Sequence, residues 1–258
     1  VWPLSDYAPR AGYLVGRCLE KQHRDEAAFD RYQELLRKYP RSQSYDEVLW
    51  RQYEIANRFY AGQFFRIFWG TLPLYRSMDE TAKMYGKIVD NGPYSDVAPH
   101  AQLQMGAARE KDGDYEAAVK AYETAADRYH NEPVIAADAM YRWAISYQKQ
   151  ATKADYDQGK AGQAIAVFTD FITIYPDDKR VPAAQKAIAD LKAEQVRGSF
   201  IVAQFYENSK TLSPTQRRKG AIVYYNEVLQ LNPNSPYAAQ ARQRIEALRP
   251  LLQNSPSS

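Results

Sequence analysis

The sequence is poor in the residues that do chemistry. Its single cysteine, Cys18, excludes an intramolecular disulfide. The stretch LVGRC (14–18) makes no convincing lipoprotein cleavage box, because Arg17 stands where a small residue is needed and no apolar segment precedes it. Cys18 reads instead as a small residue on a helix face. The three histidines, His23, His100 and His130, lie far apart, and none has a second ligand at the helical spacing that a zinc site needs. Cys18 and His23 are five residues apart, a poor angle for a nucleophile and its base on one helix. The segment GKAGQA (159–164) lacks the Gly-Lys-Ser/Thr order of a phosphate loop and reads as a link between helices. The carboxylates are scattered beside Lys and Arg, as on solvated helix faces. The expectation is therefore a protein with no catalytic residue, no metal and no cofactor.

Charge and apolar length exclude two further classes. The 34 basic residues exceed the 31 acidic ones by only three, and the nearest thing to a basic block is Arg217, Arg218 and Lys219. That is too short to track a nucleic-acid backbone. No run approaches the roughly 20 apolar residues of a membrane helix. The chain starts VWPLSDYAPR, without a basic start or the apolar core of a signal peptide, so it is expected to be cytosolic or to have had an export signal removed. With 45% hydrophobic and 25% charged residues, disorder is not the default.

What the sequence does have is repetition. Ala28, Tyr32, Leu35 and Pro40 are spaced by four, three and five residues. The same spacing recurs in Thr81, Tyr85, Ile88 and Pro93, in Ala164, Phe168, Phe171 and Pro176, and in Ala221, Tyr225, Val228 and Pro233. A fifth copy, Ala118, Tyr122 and Ala125, has His130 in the place of proline. Offsets of four and three put a small, an aromatic and an aliphatic residue on one helix face, and the proline ends the helix. Upstream of each copy is a second helical stretch with a small residue three before an aromatic or aliphatic one: Gly16/Leu19, Ala56/Phe59, Gly106/Arg109, Ala144/Tyr147 and Ala203/Tyr206. Only Arg109 departs from that rule. The small residue lets a neighbouring helix approach and the aromatic fills the space beside it.

These paired helices resemble the tetratricopeptide repeat. The resemblance implies an all-α fold, a right-handed superhelix of five helix pairs with a C-terminal capping helix. The repeats are placed at about 7–41, 45–94, 97–132, 134–177 and 181–234, the cap at 236–252, in a single domain. The closing formulae YPRSQSYDEVLW, GPYSDVAPHAQL, YPDDKRVPAAQKA and NPNSPYAAQA, with the segment AVFTDFITIYPDDKRVPAAQKAIADLKAEQVRGSFIVAQFYEN (166–208), are similar to the BamD (YfiO/ComL) family of outer-membrane protein assembly lipoproteins. That family implies a non-enzymatic scaffold on the periplasmic face of the outer membrane, held there only by an N-terminal lipid, with the signal and the lipidated cysteine outside this sequence. It also implies two kinds of partner: a BamA-like barrel assembly protein with the other assembly subunits, and the C-terminal segments of unfolded outer-membrane proteins. The alternative is a periplasmic adaptor of the YbgF/CpoB type, in envelope division or polysaccharide export.

The repeat register places candidate groove residues on the first helix of each pair. The first two pairs offer Arg10, Tyr13, Arg17, Trp50, Tyr53, Asn57 and Tyr60, arginines suited to a terminal carboxylate and aromatics suited to the side chain beside it. Partner docking falls to Arg197, Glu207, Arg217 and Arg218, and to an insertion in the second repeat, AGQFFRIFWGTLPLYRS (61–77). Part of this insertion is expected to lengthen the preceding helix until Gly70 and Pro73 break it. Its Phe64, Phe65, Phe68 and Trp69 either fold back on the neighbouring repeat or form a docking surface for a partner or a membrane interface.

Overall fold

A computed structural model of the chain describes residues 5–67, 72–153 and 158–253. The described residues hold eleven helices. In order, α1 (Ala8–Lys21) is followed by α2 (Asp25–Lys38), α3 (Tyr45–Tyr60) by α4 (Met78–Asn91), and α5 (Ala98–Asp112) by α6 (Tyr115–Arg128). Then come α7 (Pro133–Lys153), α8 (Gln158–Ile174), α9 (Val181–Asn208), α10 (Pro214–Leu231) and α11 (Ala238–Gln253). The fold is the all-α tetratricopeptide-repeat fold, with one short β hairpin added between α3 and α4. It divides into two compact units, Val1–Ser146 and Tyr147–Ser258. No described helix is long and apolar enough to cross a membrane.

The repeated spacing works through close approach. A Cβ on Gly16 would fall inside the Tyr32 ring, and one on Gly106 would lie 2.5 Å from Tyr122 Cε1. In these two pairs the small residue is thus the seat of the aromatic from its partner helix. Tyr32, Tyr85, Tyr122 and Tyr225 are fully buried, and each keeps its hydroxyl satisfied by reaching across its own pair. Tyr32 donates to Glu20 Oε1 at 2.6 Å, Tyr85 to Asn57 Oδ1 at 2.6 Å, Tyr122 to Glu110 Oε2 at 2.8 Å and Tyr225 to Glu207 Oε2 at 2.9 Å. Burial, followed by the Glu20 carboxylate, pushes the Tyr32 hydroxyl far above its ordinary range. Burial does the same for Tyr85 and Tyr122, so these groups remain donors at physiological pH.

The proline of each copy has a second task besides ending a helix. It follows the first residue of a turn in which Ser42 N donates to Tyr39 O, Ser95 N to Gly92 O, Asp178 N to Tyr175 O and Ser235 N to Asn232 O. Pro40, Pro93, Pro176 and Pro233 occupy the position where a fixed φ suits the turn. A second turn follows directly, from Tyr45 N to Ser42 O, Ala98 N to Ser95 O, Val181 N to Asp178 O and Ala238 N to Ser235 O, and delivers the chain into the next helix. Where His130 replaces proline the first turn still closes, from Glu132 N to Tyr129 O at 2.9 Å.

The insertion departs from the expectation. Helix α3 stops at Tyr60 and is not extended; Gly62, at φ 111°, reverses the chain first. Strands β1 (Phe65–Ile67) and β2 (Leu72–Tyr75) then pair antiparallel, with Phe65 opposite Tyr75 and a register shift after Phe65. Ser77 caps α4 by accepting from Glu80 N at 3.0 Å.

In the first unit Phe29, Tyr32, Leu49, Ile55, Phe59, Tyr85 and Ile88 form one continuous core. In the second, Val196, Phe200, Ala203, Tyr225, Val228, Ile245 and Leu248 form another. Helix α11 packs on α10. It buries Ala241, Ile245 and Leu248 and turns Arg242, Gln243, Glu246 and Arg249 to solvent, one apolar stripe and one polar face.

Candidate functional site

The first helices of the first three pairs carry the candidate groove. On α1, Arg17 Nη1 donates to the Tyr13 hydroxyl at 2.8 Å, and that hydroxyl donates to Glu47 Oε1 in the first turn of α3. Arg17 Nη1 lies 3.9 Å from the same carboxylate oxygen. The Tyr13 ring sits 6.3 Å from the buried Tyr32, so the groove surface rests directly on the core. Arg10 is exposed, one turn before Tyr13. With Tyr7, Tyr39, Arg41, Ser44 and Glu47 it lines an open depression of about 870 Å³.

On α3, Trp50 and Tyr53 meet edge to face at 5.7 Å between ring centroids. Trp50 is 39% exposed, a large surface for a tryptophan that is not needed in the core. Tyr53 is half-buried over Tyr85, and its hydroxyl is raised by burial, opposed by hydrogen bonds to Asn57 and Gln104. Asn57 also accepts from Tyr85, so it orients both tyrosines. Tyr60 lies at the helix end, where Lys111 Nζ stands 4.6 Å over its ring and donates to its carbonyl at 2.7 Å.

Three residues missed in the sequence belong to this face: His100, Gln104 and Lys111 on α5. His100 lies 5.9 Å from Trp50 and 6.3 Å from Tyr53, ring to ring. A signal for it existed. His100 stands six residues before Gly106, as Trp50 does before Ala56 and Arg10 before Gly16. The departure at Arg109 also finds its cause, an ion pair with Asp79 in the first turn of the preceding α4.

The docking candidates separate. Phe65 is buried and stacks on Phe59 at 4.3 Å, which makes it a packing residue of the second pair. Phe64 is 43% exposed beneath the Arg76 guanidinium, 4.5 Å from its ring. Phe68 and Trp69 lie outside the described residues. In the second unit Glu207 is held by the Tyr225 hydroxyl and by Arg244, whose Nε is 3.2 Å away, so it ties α9 to α10 and α11. Arg197 pairs with Glu194 on its own helix at 2.8 Å, and Arg218 donates to Leu251 O at 2.7 Å. The Nε of Arg217 is buried without a hydrogen bond among the described residues. Among those residues no cluster of His, Cys, Asp and Glu could hold a metal ion.

A family model described as YfiO, outer membrane lipoprotein, matches residues 76–225, more than half of the chain. A tetratricopeptide repeat model matches residues 10–42. No curated protein matches the chain. Solved structures that match include two from Podosopora anserina described as putative kinesin light chain nearly identical TPR-like repeats. The first is 13% identical at a TM-score of 0.39, covering 95% of this chain and 97% of that one. The second, a point variant of the same repeats, is 12% identical at the same TM-score of 0.39, covering 97% of this chain and all of that one.

Proposed function

Because the chain belongs to the YfiO family of outer membrane lipoproteins, we propose that it is a non-catalytic recognition subunit of outer-membrane β-barrel assembly, one that holds the C-terminal segments of unfolded outer-membrane proteins. Its BamD-like repeats are protein-interaction modules, and the reading places them on the periplasmic face of the outer membrane. The family match starts at residue 76, beyond Arg10 to Tyr60. What supports the groove is therefore its own chemistry.

One observation carries the proposal. Exposed Trp50, with Tyr53 and His100 around it, follows Glu47 by one turn of α3, and Glu47 accepts from the Tyr13 hydroxyl that Arg17 holds. An aromatic side chain can lie against the first group while a terminal carboxylate meets the guanidinium. A second partner, a BamA-like barrel assembly protein, is assigned to the C-terminal repeats, at about residues 164–250.

The test is a labelled peptide ending in phenylalanine, titrated against the wild-type chain and against Trp50→Ala, Tyr53→Ala and Arg17→Ala. A loss of about tenfold or more is expected for each, the scale of an interface anchor. Unchanged affinity in variants that keep their helical circular dichroism would sink the groove assignment.

A further inference from the structure

Glu47 is in an unexpected place. With Ser44 before it, the pattern Ser-x-x-Glu at the start of α3 is the signature of a capping box, in which the glutamate turns back to the backbone N–H of the serine. The same pattern closes fully elsewhere in the chain. At α10, Ser213 Oγ accepts from Gln216 N at 3.3 Å and Gln216 Oε1 accepts from Ser213 N at 3.1 Å. At α3 it stays open. Ser44 makes no side-chain cap, its N–H is taken by Ser42 Oγ at 3.3 Å, and its hydroxyl pairs with Ser42 Oγ at 2.9 Å. The Glu47 carboxylate leaves its own helix end and reaches the Tyr13 hydroxyl and Arg17 on α1.

The place it reaches is the one the peptide reading needs for a carboxylate. Arg17 donates to the Tyr13 hydroxyl, that hydroxyl donates to a Glu47 oxygen, and the Arg17 guanidinium lies 3.9 Å from the same oxygen as its counter-charge. Neither side chain is enclosed, with Arg17 34% and Glu47 53% exposed in their ion pair, so a competing anion has access. Arg10 and Arg41 stand around the same depression, with Asp6 as its other acid.

Resting on that reading, we infer that Glu47 is a built-in stand-in for the ligand: its carboxylate occupies the seat of the peptide's C-terminal carboxylate and must be displaced when the peptide binds. Displacement moves no proton and breaks no covalent bond. The peptide carboxylate accepts from the Tyr13 hydroxyl beside the Arg17 guanidinium, and Glu47 is released to solvent. The device keeps Arg17 and Tyr13 aligned in the empty groove. It also sets the affinity of a free-acid ligand, which must compete with Glu47 for the seat, and leaves a ligand without a carboxylate unaffected.

The experiment uses two peptides of one sequence ending in phenylalanine, one a free acid and one an amide, with the wild-type chain and Glu47→Gln, Arg17→Ala and Trp50→Ala. Glu47→Gln keeps the size and removes the charge at an exposed position, so folding is preserved. Binding of the free acid should tighten by about tenfold, the worth of one hydrogen bond to a charged group. The amide should change little, and Arg17→Ala should erase the difference between the two peptides. If Glu47→Gln leaves free-acid affinity unchanged or weakens it while Trp50→Ala still loses binding, the stand-in role is wrong and the peptide reading stands. If Trp50→Ala binds both peptides as the wild type does, both ideas fall together.

Discussion

The two units of the chain tie their helices in different ways. In the first, charged side chains reach from one helix pair to the pair before it. Arg58 on α3 holds Asp25 at the start of α2 with two hydrogen bonds, at 3.0 and 2.8 Å, and touches Glu20 on α1. Arg109 and Lys111 on α5 reach back to Asp79 and to Tyr60 O. In the second unit the described ion pairs are mostly local, Arg197 with Glu194 and Arg180 with Asp178, and Arg244–Glu207 alone among them joins separate helices. The first unit thus pins each helix pair to the one before it through charged side chains, and the second relies mainly on ties within an element or its own turn.

The largest effect should come from cutting the strongest cross-tie. Asp25 is only 6% exposed and accepts from Arg58 and from Gln63 Nε2. Arg58→Ala leaves that carboxylate buried with one neutral donor, a loss of about 2 kcal/mol, discounted because Arg58 is itself partly exposed. The control in the other unit is Arg197→Ala, whose exposed pair one turn away is worth below about 0.5 kcal/mol. Urea melts read both, and amide hydrogen exchange should show the first loss in α2 and α3. Equal losses would dissolve the contrast between the units.

Next comes the exception in the second unit. Arg244→Ala should cost about 1 kcal/mol, because Glu207 keeps the Tyr225 hydroxyl as a partner. An effect as large as that of Arg58→Ala would mean that α11 is pinned as firmly as α3.

A smaller effect is a pH dependence. The Arg180 side chain, and secondarily its backbone N–H, hold the Asp178 carboxyl down at about 2, against an ordinary value of 3.8. The folded value lies below the unfolded one, so the contribution is complete above about pH 4 and is lost as pH falls toward 2. Asp178→Asn should lower stability at pH 6 and should close the gap to the wild type between pH 4 and 2. A gap that persists at pH 2 would show that the asparagine disturbs the turn into α9 and that the ion pair is not the cause.

Much of this was legible in the sequence, because it depends on spacing. The offsets of four and three fix which tyrosine sits on which small residue, and each such contact lies within one helix pair. What escaped depends on contacts between pairs or on competing local rules. The partner of Arg109 is 30 residues upstream. His100 looks isolated among the histidines, although its register position matches that of Trp50. The hairpin is hidden because Gly70 and Pro73 read as breakers of a helix. The helix has already ended before Gly62, and two apolar runs divided by four residues that include glycine are a hairpin signal. Glu47 escaped because local logic assigns it to its own helix end.

The smallest predicted effect tests whether the first repeat has yielded stability at its own turn. Helices α1, α3 and α5 end alike. The residue after the last turn has positive φ, 56° at His23, 111° at Gly62 and 81° at Gly113. The next N–H then reaches back five residues, from Arg24 to Leu19 O, Gln63 to Arg58 O and Asp114 to Arg109 O. Two of these positions are glycine, which takes positive φ without strain; the third is an exposed histidine, whose Cβ makes the left-handed region costly. His23→Gly should therefore stabilise the chain by about 0.5 kcal/mol, the strain relieved being partly offset by the greater freedom of glycine in the unfolded state. Thermal melts of His23→Gly and His23→Ala separate this from loss of the side chain, because only glycine relieves the backbone strain. An equal gain in His23→Ala would instead trace the effect to removal of the imidazole beside Lys21 and Arg24.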